Sequence, residues 1–367
     1  MKIGLWADLH IDGPSLDETI ENVRWAMSEF EKAGCSHTIL AGDWADTDNI
    51  GDAANTPGKI KHAFLSALAP SMQHIILEGN HDKKSATRGS ALLLFEDSVE
   101  TVLSITGKML TDTLGIVLVP WCYKEQFVSP EERGKDDHNL FLTRVSDMIE
   151  EVHSKLSLAG ASSIILAAHC RVRGARENLT TNREVTGGFE IFRDTLDLFD
   201  YLHLGDIHLR QELIPNKGGF HGAMSQRGKD EEGHPCGISI LSCEDGKLSV
   251  QWIDSPIARR YYTVVADSLD VNIPKLNKYD KLYVKYPYDP NDEKSRQFRE
   301  ELVKTVPSGT RLLPSTKHSV AARTGEGSEV IVNKPVDALK LYCRTMNISD
   351  AETADLVEEL ELLLNRK

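Results

Sequence analysis

The stretch LHLGDIHLRQ, Leu202–Gln211, sets Asp206 and His208 two residues apart, directly after the apolar run Tyr201–Leu204. A short apolar run that stops at a glycine, an acid and an imidazole reads as a strand with polar side chains at its exposed end. One such pair says little, since Gly-Asp and Asp-x-His also occur in solvated turns. The same punctuation recurs, however. Ile3–Ala7 is followed by Asp8 and His10 (ADLHID), and Thr38–Ala41 by Asp43 and Asp46 (AGDWAD). His74–Leu77 is followed by Asn80, His81 and Asp82 (EGNHD), and Ser163–Ala168 by His169 (AAHC).

Between these strands lie segments with helical periodicity. Leu16–Lys32 places Ile20, Val23, Met27 and Phe30 on one face. Ile60–Leu68 and a segment from about Asn139 to Leu158 read the same way, and Gly115–Val119 adds another strand. Alternation of this kind predicts a largely parallel α/β core. In such sheets ligands bind outside the carboxyl ends of the strands. Five strand ends therefore deliver Asp, Asn and His to one side of the molecule, the oxygen and imidazole donors suited to Mn, Fe or Zn. Taken singly, each residue reads more readily as a turn former or a satisfied buried histidine than as a functional group. Their shared position at the ends of successive strands favours a metal site.

The chain has 367 residues, enough for two or three domains. Its 40% apolar and 27% charged residues are ordinary for a globular protein. The formal charge of −14 argues against broad non-specific nucleic-acid binding, although bound divalent cations and a basic partner would offset it locally. Six scattered cysteines without a CxxC point to a reducing, cytoplasmic setting. The opening MKIGLWADLHID breaks its apolar run with Asp8 and His10, which fits neither a signal peptide nor a membrane span.

From about Gly218 the pattern turns to hairpins: GGFHG, GISILS, KLSVQWID and RRYYTVVA, with a turn at Glu244-Asp245-Gly246. This run predicts a second sheet completing the same core. After Asp270 a strand (Lys281–Tyr286), a helix (Pro290–Val303) and a strand (Thr310–Leu313) form a small β-α-β module. The expected organisation is a core over 1–265, a cap over 266–317, a linker over 318–332 and a helical segment over 333–367. The last helix carries Ala354, Val357, Leu360 and Leu364 as an apolar stripe on an acidic background.

The motifs resemble those of the calcineurin-like metallophosphoesterases: D-x-H, G-D-x-x-D, G-N-H-D/E, a lone H and G-H-x-H. Here they stand as Asp8-Leu9-His10, Gly42-Asp43-Trp44-Ala45-Asp46, Gly79-Asn80-His81-Asp82, His169 and Gly205-Asp206-Ile207-His208. Their order and spacing match over roughly the first two-thirds of the chain. Within that superfamily the chain looks like the SbcD-type DNA exonuclease subunits of recombination and repair complexes. The carriers of this narrower likeness are DYLHLGDIHLRQ, GGFHGAMSQRGKDEEGHPCGISIL, the β-α-β cap and the helical tail.

The resemblance implies a two-sheet αββα sandwich and two divalent cations, Mn²⁺ or alternatively Mg²⁺. One ion would be held by Asp8, His10, Asp43 and His208, the other by Asp43, Asn80, His169 and Asp206, with Asp43 bridging. A bridging carboxylate suits ions ~3.5–4 Å apart. His81 would stabilise or protonate the leaving oxygen, and Asp82 would orient its neighbours. The family usually has histidine where this chain has Asp206. A hard anionic oxygen there favours Mn²⁺ or Mg²⁺ over Zn²⁺.

Arg171 and Arg173, with Arg176 beyond them, form a cationic loop after His169 suited to a phosphate backbone or simply to solvent. His221 and Arg227 are expected as substrate contacts. Trp44 and Trp121 read as stacking platforms or as core. The resemblance further implies DNA as substrate, a homodimer, and docking of the C-terminal helices on an SbcC-type coiled-coil ABC ATPase. The leading expectation is a Mn²⁺-dependent DNA exonuclease and endonuclease. A phosphatase or cyclic-nucleotide phosphodiesterase, and a non-catalytic scaffold that tethers DNA ends, are the alternatives.

Overall fold

The computed structural model describes residues 1–46, 56–83, 89–95, 99–134, 136–179, 187–244, 246–289 and 291–315. The expected linker and C-terminal helices, and Asp245 of the expected turn, lie outside the described residues.

Four strands run parallel in the order of the chain: β1 (Lys2–Trp6), β2 (His37–Leu40), β3 (Gln73–Leu77) and β4 (Glu100–Val102). A second sheet begins with β5 (Thr106–Met109), antiparallel to β6 (Leu114–Val119). It continues in parallel through β7 (Ser163–His169) and β8 (Tyr201–Gly205). The sheet closes with β10 (Gly218–Phe220) beside β8 and β9 (Gln211–Ile214) at the edge. The hairpin β11 (Gly237–Glu244) and β12 (Lys247–Asp254) returns to the first sheet, with β11 antiparallel to β1. Each sheet thus has six strands, β12-β11-β1-β2-β3-β4 and β5-β6-β7-β8-β10-β9.

The layers follow from which faces are apolar. Strands such as LGIVLV and SIILAAH are buried on both sides, as continuous apolar runs in parallel sheets require. Ile116 and Leu118 meet Ile3, Leu5 and Ile39 in a core between the sheets. Val117 and Val119 face the other way, into a core shared with Phe141, Val145 and Ile149 of helix α3 (Asp137–Leu158). On the outer face of the first sheet, helices α1 (Leu16–Ala33) and α2 (Pro57–Ala67) bury Ile20, Val23, Met27, Phe30, Ile60 and Phe64. Full burial of each such side chain contributes about 1.5–3 kcal/mol. The result is the αββα sandwich, with the predicted helical face of α1 turned inward. A short helix, α4 (Arg193–Asp197), leads into β8.

The hairpin region departs from the sequence expectation. Its strands do not share one sheet. GISILS and KLSVQWID extend the first sheet, GGF joins the second, and the strand expected from RRYYTVVA goes elsewhere. Alternating burial patterns identify strands but carry no information on their partners. That strand, β13 (Tyr261–Val265), pairs in parallel with β14 (Lys281–Pro287), in a three-stranded sheet completed by β15 (Arg311–Ser315). Helix α5 (Glu293–Thr305) lies between β14 and β15 in sequence. By contact density the described residues up to Tyr286 together with Glu301–Leu313 form one unit, and Pro287–Glu300 belongs to a second. Among the described residues no helix is long and apolar enough to cross a membrane. Cys35, Cys122, Cys170, Cys236 and Cys243 are free thiols.

Candidate metal centre

The parallel strands of both sheets end on the same side, and their following loops meet there. The β1 and β2 loops run together: His10 N–H donates to Asp43 O at 2.8 Å and Ile11 N–H to Trp44 O at 2.9 Å. Asp206 N–H crosses from the second sheet to Asp8 Oδ1 at 2.9 Å. Asp8, His10, Asp43 and Asp206 all have positive φ, of 51°, 47°, 52° and 92°. Four non-glycine residues in that region cost about 1–3 kcal/mol each. Asp tolerates this backbone better than most residues because its short side chain bonds locally.

Two glycines permit the approach. A Cβ on Gly79 would lie 2.0 Å from Asp43 Oδ1 and 2.2 Å from its backbone nitrogen. At Gly42, with φ of 83°, a Cβ would lie 2.2 Å from His169 Nδ1. The glycines ahead of Asn80 and Asp43 are therefore clearance for the ligand loops as much as turn formers.

The predicted donors come together around Asp43. His10 Nε2 is 3.4 Å from Asp43 Oδ2, and His169 Nε2 is 3.4 Å from Asp43 Oδ1. His10 Nε2 and His208 Nε2 are 3.0 Å apart. On the other side His169 Nε2 lies 2.8 Å from Asn80 Oδ1 and 3.9 Å from Asp206 Oδ1. Three overlapping groups have the spacing of a cation site: Asp8, His10 and His208; His10, Asp43 and His81; Asp8, Asp43 and His169.

The hydrogen bonds fix which atom each histidine offers. His169 Nδ1 lies 2.8 Å from Ala41 O, and a carbonyl only accepts, so Nδ1 carries the proton and Nε2 faces Asp43. His208 Nδ1 lies 2.6 Å from Glu231 Oε1, so its Nε2 likewise faces inward. Such partners are typical of metal-binding imidazoles. Asp8 Oδ2 is buried without a hydrogen-bond partner among the described residues, a costly state for an anionic oxygen. Carboxylates, an amide oxygen and imidazole nitrogens all converging on the same small volume fit two divalent cations sharing Asp43.

The electrostatics agree. Burial opposes a charged His169, but Asp43, then Asp8 and Asp206, overcome it and raise its pKa to about 10. Burial likewise opposes charge on His208, which Glu231 first and Asp8 next raise to about 9. Burial pushes Asp8 up to about 7 against the pull of His208 and His169. Burial would also raise Asp43, but His169 and His10 hold it well below the usual carboxylate range. The site demands positive charge, and protons and metal ions compete to supply it.

His81 differs from the other donors in its exposure. Its side chain is 48% exposed, its ring meets the edge of His10 at 4.8 Å, and its N–H holds Asp43 Oδ1 at 2.9 Å. Asp82 is fully buried and accepts from Trp44, Ala45 and Gly79 N–H groups, at 3.2, 2.8 and 2.8 Å. It pins the Asp43 loop to the Asn80 loop.

Of the expected substrate contacts, Arg171 Nε bonds Asp206 Oδ2 at 3.0 Å. Arg227 donates to His10 O at 3.1 Å and to Asp46 Oδ2 at 3.2 Å. Arg173 is 80% exposed, 3.6 Å from Glu190. His221 is a correction: it is 2% exposed, its ring nitrogens lie against Tyr201 Oη at 3.3 Å and Ser239 Oγ at 2.9 Å, and it belongs to the interior. Strand β10 ends one residue before it and carries it inward, which the GGFHG pattern did not reveal. Trp44 is core, with its ring against Phe64 and Phe95. Trp121 is only partly buried, 6.0 Å from the His169 ring. Sequence reasoning missed Glu231, which lies in the acidic run KDEEGH that reads as a solvated turn.

No protein-family model matches the sequence, and no curated protein matches it. Among solved structures, the chain is similar to a dimetal phosphatase from Danio rerio, at 12% identity and a TM-score of 0.46, over 69% of this chain and 96% of that one. It is also similar to an archaeal phosphodiesterase, at 11% identity and a TM-score of 0.33, over 69% and 100% of the two chains. A purple acid phosphatase from yellow lupin (Lupinus luteus) seeds gives 11% identity and a TM-score of 0.40, over 69% and 51%. At these scores the likeness is distant, and the weight falls on the side chains that meet at Asp43.

Proposed function

We propose that the chain is a metal-dependent phosphoester hydrolase, and more narrowly a DNA phosphodiesterase. The observation that carries this is the meeting of donors from five strand ends around Asp43, with both second-sheet imidazoles turned inward by Ala41 O and Glu231. Two divalent cations held there, Mn²⁺ or Mg²⁺, would supply Lewis acidity and a hydroxide-like nucleophile at neutral pH. Asp8, His10, Asp43 and His208 hold one ion. Asp43, Asn80, His169 and Asp206 hold the other. His81, half exposed while the imidazole ligands beside it are largely buried, hands a proton to the leaving oxygen. Arg227, fixed by His10 O and Asp46, contributes a stationary positive charge beside the cluster.

The narrower reading makes this chain the nuclease subunit of a DNA recombination and repair complex. It pairs as a homodimer and docks through residues 333–367 on an SbcC-type ATPase. The resemblance of motifs and tail supports it. Metal analysis with nuclease assays in Mn²⁺, Mg²⁺ and EDTA tests the chemistry. Asp43→Asn keeps an acceptor for His81 N–H and tolerates the positive φ. It is expected to lose about a thousandfold in rate, about 4 kcal/mol of barrier. Full activity in EDTA, or in Asp43→Asn, would refute the metal reading. Deleting residues 330–367 should leave nuclease activity and abolish association with the ATPase. Retained co-purification would refute the docking.

A further inference from the structure

The segments that follow His169 and His208 contribute to an arginine-lined cavity of about 540 Å³. Arg173, Arg176, Arg193 and Arg210 line it over an apolar patch that includes Leu209, with Glu212 as the acid among the lining residues. On a chain with a net charge of −14 this is a marked local reversal. The four arginines come from three separate places in the sequence: the loop after β7, the start of α4, and the loop between β8 and β9.

The cavity is a built feature rather than a chance cluster of exposed side chains. The Arg176 loop is tied to β9 through the Gln211 amide, which accepts from Arg176 N–H at 2.9 Å and donates to Arg176 O at 2.8 Å. Arg210 lies with its guanidinium 4.8 Å from the Trp252 ring centroid and 2.7 Å from Asp254 Oδ1. Its side chain is 14% exposed, with Nε and Nη2 buried, so it frames the cavity rather than offering its guanidinium to a ligand. Two of the four arginines are held by acids, Arg173 by the buried Glu190 at 3.6 Å and Arg210 by Asp254, while Arg176 and Arg193 are exposed. The Arg193–Asp197 pair is 3.8 Å long between half-exposed side chains. Surface pairs of this kind contribute about 0–1 kcal/mol. Guanidinium groups bind phosphate oxygens with two parallel donors, which a lone exposed carboxylate does not match.

We infer that this cavity binds phosphates of the substrate strand adjacent to the one being cleaved. The inference rests on the proposed phosphodiesterase reading and adds to it: recognition then extends beyond a single phosphodiester. Arg210 is two residues from the ligand His208, and Arg173 four from the ligand His169. A strand whose scissile phosphate sits at the metals would then lead its neighbouring phosphates toward Arg173, Arg176 and Arg193. A free polyphosphate offers the same chemistry and is the competing source.

The test uses the full chain and its double variant Arg176→Ala/Arg193→Ala, with folding of the variant checked by its thermal transition. Fluorescence anisotropy measures binding of a labelled single-stranded oligonucleotide across a salt series, and tripolyphosphate is titrated separately. Loss of two phosphate contacts should lower the slope of log affinity against log salt by about 1.4. Affinity at low salt should fall about tenfold or more. Unchanged affinity and slope in a folded variant overturns the inference. Loss of tripolyphosphate binding with oligonucleotide binding intact also overturns it, and assigns the cavity to a free polyphosphate. Hydrolysis of bis(p-nitrophenyl) phosphate by the unaltered chain with Mn²⁺ separates the two readings. If that diester is cleaved and the variant binds DNA normally, the cavity inference alone falls. If no diester is cleaved, the phosphodiesterase reading falls whatever the cavity binds, and with it the assignment of the cavity to a substrate strand.

Discussion

Arg171 Nε lies 3.0 Å from Asp206 Oδ2, while the other oxygen of the same carboxylate stands 3.9 Å from His169 Nε2. This pair explains how an aspartate serves where the resembling family has histidine. Arg171 occupies one oxygen and leaves the other facing His169, so under the proposed reading Asp206 would be a one-oxygen ligand with part of its charge already balanced.

Asp206→Ala should therefore reduce bound Mn²⁺ from two ions to one, because the first group of ligands does not include this residue. Asp206→His should shift preference from Mn²⁺ toward Zn²⁺. Metal stoichiometry by emission spectrometry after dialysis, with Mn²⁺/Zn²⁺ competition, reads both. Two tightly held Mn²⁺ ions in Asp206→Ala would show that Asp206 is no ligand.

Glu231 fixes the ring of His208 through the 2.6 Å contact to Nδ1, and its other oxygen accepts from Arg227 N–H at 2.7 Å. Removing a partner of this kind weakens metal binding by about 10–100-fold. Glu231→Ala should show that loss in Mn²⁺ affinity by calorimetry, and Glu231→Gln, which keeps an acceptor oxygen, should recover part of it. Equal affinity in all three proteins would remove Glu231 from the site.

The raised pKa values of His169, about 10, and His208, about 9, give a signed dependence on pH. Both sit above the ordinary value of 6.5, so the fold holds these protons more tightly than the unfolded chain does. Their contribution to stability is complete below about pH 6.5 and is lost as pH rises through about 9 and 10. Asp8, raised to about 7, acts in the same direction at lower pH. In EDTA the melting temperature should fall between pH 6.5 and 9, and Mn²⁺ should stabilise the protein more at pH 8.5 than at pH 6. A stabilisation by Mn²⁺ that shrinks as pH rises would contradict the competition of protons and metal for these atoms.

Gly79→Ala is expected to be more damaging than its size suggests. The added carbon would stand 2.0 Å from Asp43 Oδ1, so either the Asn80 loop or the shared carboxylate has to move. Overpacking of this kind costs about 1–3 kcal/mol. Thermal unfolding should show that loss together with failure to retain two metal ions. A variant with normal metal content would mean that the loops yield without disturbing the ligands.

Much of this centre is legible in the primary sequence because its ingredients are local. An apolar run of strand length, a glycine and then Asp, Asn or His specify a strand end, a close approach and a donor, all within a few neighbouring residues. Helix α1 is legible for the same reason, since Ile20, Val23, Met27 and Phe30 repeat at helical spacing and are all buried. The other parts depend on partners far along the chain. Glu231 reaches His208 across 23 residues and Arg171 reaches Asp206 across 35. No spacing or periodicity encodes such pairs.

The hairpins and His221 show the same boundary. Alternation marked β11, β12 and β13 as strands, yet only hydrogen-bond pairing sent β11 to β1, β12 to β11 and β13 to β14. His221 reads from sequence as a substrate contact, but β10 carries it between Tyr201 and Ser239. By itself the sequence determined which side chains stand at strand ends, because backbone period and glycine clearance are properties of adjacent residues. Tertiary structure decided which oxygens and nitrogens those side chains share. Packing the sheets face to face brings Ala41 O to His169, pairing β7 with β8 brings Arg171 to Asp206, and the turn before β11 brings Glu231 to His208.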